Sequence, residues 1–200
     1  VYDAFDGTSD NNRPGTTFVG AITTQNGTIV SNVGDSRAYI LDNHGELYQI
    51  SEDHNILPYL LYNSGLQPQD EFNLSKIDQI RKIKDDFRFH PRSNMVTQSI
   101  GLEKLNYNNN FAYSTIIDNN SYSTLLLFSD GVTDCLSDEQ IKVITKKTSK
   151  SELAKSIVKA AKTTNSINPN ITDRKNFYSK IPGGKDNTTA AVFNNDEPDR

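Results

Sequence analysis

Two hundred residues, 34% hydrophobic and 23% charged, are enough for one ordinary domain with a real core, and the composition has no disordered or collagen-like bias. A formal charge of -4 without a dense lysine or arginine run argues against nucleic-acid binding, and apolar stretches such as Leu125 to Phe128 fall far below the roughly 20 residues of a membrane-spanning helix. One cysteine and three histidines exclude an internal disulfide and a thiolate or imidazole zinc cluster, so any metal must be held mainly by oxygen.

The chain opens at Val1 without a methionine, inside what reads as a strand, and is expected to be a fragment or a gapped version of a longer protein. Strands follow at Thr17 to Thr23, Thr28 to Val33 and Ser36 to Leu41, with a fourth at Leu47 to Ile50. Gln25-Asn26-Gly27 and Asn43-His44-Gly45 supply the turns, and the spacing predicts an antiparallel meander with one buried face.

From Asp53 to His90 the alternation stops. Ile56-Leu57-Pro58-Tyr59-Leu60-Leu61 and the helical spacing of Ile77, Ile80 and Ile83 within Lys76 to Asp86 predict a partly helical insertion. Asparagine-rich loops then flank a strand at Phe111 to Ile117, and Ser123 to Phe128 reads as a buried strand. Two helices carry capping-box starts, Ser137 to Gln140 and Ser149 to Glu152, and Leu153, Ile157, Val158 and Ala161 form a core-facing stripe on the second. A polar loop from Asn165 to Lys185 delivers Asp186 to a last strand, Thr188 to Phe193.

Four aspartates fall at junctions between strands and turns: Asp3, Asp35, Asp130 and Asp186. Carboxylates at the ends of rigid strands can converge on one point, and magnesium or manganese prefers such oxygen ligands. No serine, cysteine or histidine triad competes with this reading. Cys135 reads as an inert core thiol, His44 and His90 as exposed or structural, and Arg37, Asp53 and His54 as structural braces.

Asn32-Val33-Gly34-Asp35-Ser36-Arg37-Ala38, followed by Gly45-Glu46-Leu47 and Ser51-Glu52-Asp53-His54-Asn55, closely resembles the central signature of the metal-dependent, type 2C protein serine/threonine phosphatases. Leu126 to Asp134 resembles that family's strand carrying an Asp-Gly metal site, and Lys185-Asp186-Asn187-Thr188-Thr189 its closing motif. His90-Pro91-Arg92-Ser93-Asn94 before Ile100-Gly101 resembles the return from the flap in bacterial-type members. At the start, Asp3-Ala4-Phe5-Asp6-Gly7 aligns with the family's Asp-Gly-x-Gly-Gly element, with Ala4 and Asp6 in place of two glycines.

The resemblance implies an α+β fold, an antiparallel β-sandwich flanked by helices in four αββα layers, as one catalytic domain over residues 1–200 with a flap subdomain at about 54–92. The family's first strands and two helices are then missing from this chain, which would leave one sheet face uncovered. The implied cofactors are two to three manganese or magnesium ions. Asp3, the Ala4 backbone carbonyl, Asp130 and Asp186 would hold the paired ions, and Asp35 with Asp130 a third. A metal-activated water would hydrolyse phosphoserine or phosphothreonine on a protein substrate. No catalytic residue beyond the metal ligands is implied, since Phe5 stands where many eukaryotic relatives carry a histidine. A cytoplasmic monomer without nucleic-acid or membrane partners is the default expectation. Asp6 and the missing segments motivate the alternative, a catalytically impaired pseudophosphatase acting as a binding or regulatory module; a regulatory phosphatase with one switch-protein substrate is a third reading.

Overall fold

Strand pairing in the first fifty residues begins as the turn chemistry dictates. The computed structural model describes residues 15–101, 112–163 and 187–195. β1 (Phe18–Thr24) and β2 (Gly27–Val33) form an antiparallel hairpin closed at Gln25-Asn26, with Thr24 opposite Gly27. β2 pairs on its other edge with β5 (Tyr113–Ile117), giving a three-stranded sheet of order β1-β2-β5.

The expected single meander is corrected at this point. The chain leaves the first sheet at Val33 and enters a second at Arg37. β3 (Arg37–Asp42), β4 (Leu47–Gln49), β6 (Tyr122–Phe128) and β7 (Ala190–Asn194) form that sheet in the order β4-β3-β6-β7, all antiparallel. Alternation along a strand specifies two faces but not the neighbouring strand, so a hairpin and a sheet crossing look alike in sequence.

The two sheets pack through Val30 from one and Ala38, Ile40, Tyr122 and Leu125 from the other. Thr28 ties them together, its hydroxyl 2.8 Å from the Tyr122 hydroxyl. The far face of the four-stranded sheet, with Tyr39, Leu41, Leu126 and Phe128, packs against helices. These are the one-turn α3 (Asp130–Thr133), α4 (Asp138–Lys147) and α5 (Leu153–Thr163). Of the predicted stripe Leu153, Ile157 and Ala161 are buried there and Val158 is half-buried, and Cys135 lies in the same core. Burying each large aliphatic side chain stabilises the fold by roughly 1.5–3 kcal/mol.

Of the two capping boxes, one forms. Ser137 Oγ accepts from the Gln140 N–H at 3.1 Å, and Gln140 Oε1 accepts from the Ser137 N–H at 2.8 Å. At Ser149 a 3-10 turn over Lys150–Glu152 intervenes, and no side-chain cap bond is made. Ser149 Oγ instead lies 3.3 Å from Ser151 Oγ.

Between β4 and β5 lie α1 (Leu57–Asn63), a 3-10 turn at Pro68–Phe72 and α2 (Ile77–Phe87). They share a small core of Leu57, Leu61, Leu66, Ile80 and Phe87. Among the described residues three of the four expected layers are present: sheet, sheet and helix. The outward face of the three-stranded sheet carries Phe18, Ile22, Ile29 and Ile116, from 39% to 69% exposed. No helix among the described residues is long and apolar enough to cross a membrane.

Candidate metal centre

The crossing between sheets is made by Gly34-Asp35-Ser36 alone, so its backbone must turn sharply. Gly34 has φ +95°, and a Cβ there would lie 2.4 Å from Thr17 Cγ2, which excludes any other residue on two counts. Both polar groups of Gly34 are held by one residue. Its N–H donates to His54 Nδ1 at 3.1 Å, and its carbonyl accepts from the His54 N–H at 3.0 Å. Accepting at Nδ1 requires the neutral ring with its proton on Nε2, and burial holds the His54 pKa below its ordinary value despite Asp53 nearby.

Asn32, fully buried, adds a second hold. Its amide donates to the Glu52 carbonyl at 2.7 Å and to the Gly34 carbonyl at 3.3 Å. Ser36 Oγ meets Thr17 Oγ1 at 2.9 Å. On the far side of Asp35, Arg37 grips Asp53 in a bidentate pair, with nitrogen to oxygen distances of 2.6 to 3.0 Å.

Asp35 is 8% exposed, and its Oδ1 is buried without a hydrogen-bond partner. Its pKa is pushed up to about 7, first by burial, then by the charges of Asp130 and Asp53, with Arg37 opposing only weakly. Two carboxylates without enough positive charge between them are the kind of environment that a cation relieves.

Asp130 opens α3, where Oδ1 accepts from the Gly131 N–H at 2.8 Å. The incoming end of β7 passes over this turn. Ser129 and Thr189 exchange two bonds, 3.1 Å from the Ser129 N–H to the Thr189 carbonyl and 3.0 Å from the Thr189 N–H to Ser129 Oγ. A Cβ on Gly131 would stand 2.6 Å from the Asn187 carbonyl oxygen, so glycine after Asp130 is a packing requirement as well as a turn signal.

A buried polar chain leads away from this centre. Arg37 Nη1 donates to the Tyr39 hydroxyl at 3.4 Å, Tyr39 donates to Asp138 Oδ1 at 2.9 Å, and Asp138 binds Lys84 of α2, which also faces Glu71 at 3.4 Å. Burial works against the charge on Lys84, but Asp138, Tyr39 and Glu71 raise its pKa above the ordinary lysine value. Arg88 donates from Nε and Nη2 to the Asp134 carbonyl, both at 3.2 Å, joining the insertion to the end of α3.

The structure therefore brings Asp35 and Asp130 within electrostatic reach of one another; Asp3, Ala4 and Asp186 lie outside the described residues. Among the described residues no group of three or more acidic, histidine or cysteine side chains converges. The expected structural roles of Arg37, Asp53 and His54 hold. His44 is exposed, and His90 is half-buried and stacked on Phe87 at 5.9 Å. What sequence reasoning missed is that His54 grips the Gly34 turn, and that Asn32 clamps it from below. An asparagine at an inward strand position was the available signal for the second; the first had none, since histidine after aspartate is equally at home in a loop.

Residues 3–57 match the family model for protein phosphatase 2C. The serine/threonine phosphatase stp of Listeria monocytogenes is 33% identical over 137 residues, 68% of this chain and 46% of that protein, and that of Listeria innocua is 31% identical over the same length. The chain thus spans about half the length of the curated relatives it matches. Among solved structures, the Mycobacterium tuberculosis serine/threonine phosphatase PstP/Ppp superposes with a TM-score of 0.60 at 22% identity, covering 89% of this chain and 58% of that one. Stp1 from Staphylococcus aureus gives 0.50 at 27% identity, covering 72% and 48%.

Proposed function

Because the chain belongs to the protein phosphatase 2C family, we propose that it is a metal-dependent phosphatase hydrolysing phosphoserine and phosphothreonine in protein substrates. The observation that carries this reading is the orphaned Asp35 Oδ1, with its acidity suppressed first by burial and then by the charge of Asp130. A hard divalent cation fits such a donor set, which argues for manganese or magnesium.

We assign Asp3, Asp130, Asp186 and the Ala4 carbonyl to a pair of ions, and Asp35 with Asp130 to a third. Bound ions would acidify a water and neutralise charge on the phosphoryl oxygens, which is why no side-chain nucleophile is needed. The chain's own contribution is placement: the Gly131 N–H orients the Asp130 carboxylate, the clasped Gly34 turn orients Asp35, and Arg37 is kept on Asp53. The helical insertion between β4 and β5 is read as the flap that meets a phosphoprotein, and the enzyme as a monomer.

The test is turnover of p-nitrophenyl phosphate and of a phosphothreonine peptide. Manganese-dependent hydrolysis that chelator and Asp130→Ala both abolish is the expected result. A folded protein with no turnover and no manganese binding by calorimetry would overturn the enzyme and leave the pseudophosphatase, which Asp6 in place of a glycine favours.

A further inference from the structure

We propose that His54 is a positioning residue for the Asp35 carboxylate, acting through the backbone of Gly34. The inference rests on the metal-dependent reading of Asp35 given above. Its own support is geometric.

Asp35 sits between two points of attachment, and both lead to consecutive residues of one segment. On one side Gly34 is bonded at its N–H and at its carbonyl to His54; on the other, Arg37 is bonded through its guanidinium to Asp53. The distances, 3.1 and 3.0 Å to His54 and 2.6 to 3.0 Å to Asp53, are those of well-made bonds. Asp35 makes no hydrogen bond at Oδ1, and its carboxylate is met by its own backbone N–H, so its direction depends on the backbone that carries it.

That peptide is unusually dependent on its partner. Gly34 has a backbone conformation that L side chains rarely adopt, with Thr17 packed against it, and its buried N–H has the His54 ring as acceptor. Removing the acceptor leaves a buried donor unsatisfied and lets the turn relax away from the crossing geometry. His54 also accepts from the Thr97 N–H at 2.7 Å, so the clasp lies where the chain both enters and leaves the helical insertion. Histidine does here what a partner behind a ligand does in metal sites: it fixes the ligand's orientation without touching the ion.

The property required of residue 54 is an acceptor at the place of Nδ1. Asparagine offers Oδ1 at nearly that position, leucine offers similar bulk and no acceptor, and glutamine carries its amide too far along the side chain. A role in packing alone would not separate the three.

The experiment is calorimetric titration of the metal-free chain with manganese, for wild type, Asp35→Asn, His54→Leu and His54→Asn, with thermal melts to confirm folding. One binding event is expected to disappear in Asp35→Asn. The same event should weaken by about 10- to 100-fold in His54→Leu and stay within about threefold of wild type in His54→Asn. If His54→Leu does not fold, His54→Gln takes its place against His54→Asn, with the same difference expected. Manganese binding unchanged in His54→Leu, or equally weak in His54→Asn, overturns the inference and leaves the phosphatase reading intact. A wild-type chain that binds no manganese overturns both.

Discussion

Asp35 couples the fold to pH. Its pKa near 7 in the folded, metal-free chain stands above the ordinary carboxylate value, so the folded state holds a proton that the unfolded state releases between about pH 4 and 7. Its contribution to stability is present below that window and is lost as pH rises through about 7. Asp35→Asn should therefore leave stability unchanged near pH 4 and raise it at pH 8 by up to ~4 kcal/mol, read from urea denaturation with chelator present. Manganese should stabilise the wild type at pH 8 and do much less for the variant. Equal stability of the two proteins at pH 8 would mean that the burial of Asp35 carries no penalty.

At the scale of elements, the two helix starts make a matched pair. Ser137→Ala breaks a formed capping box and should cost about 1 kcal/mol, whereas Ser149→Ala removes no cap bond and should stay within about 0.5 kcal/mol, both by denaturant melts. The insertion is joined to the body by charge as well as by packing. Lys84 is 4% exposed between Asp138 and Glu71, so Lys84→Met strands two buried carboxylates and should destabilise the chain by about 3–5 kcal/mol. A loss below about 1 kcal/mol would show that water reaches this network, as it does surface ion pairs.

For the molecule as a whole, the sheet face that has no helix over it among the described residues carries apolar side chains open to solvent. Ile22 faces Ile29 across the β1–β2 ladder, and Ile29 faces Ile116 across β2–β5, forming an apolar row. Ile22 and Ile116 are 66% and 69% exposed, so lysine at both positions should lower retention on a hydrophobic column while the melting temperature moves little. A large drop in melting temperature would mean that the row is packed against something. Period and turn chemistry alone made most of the strands, both main helices and the core stripe of α5 legible, because these depend on neighbours in the chain. The family was legible through the residues that flank the aspartates, which match its signature. Only the tertiary structure decided that the chain changes sheets at Gly34, that His54 grips that turn, and that Lys84 lies on Asp138. Those pairs are 20 and 54 positions apart, and contacts across such separations leave no periodic trace in the sequence from which they could be read.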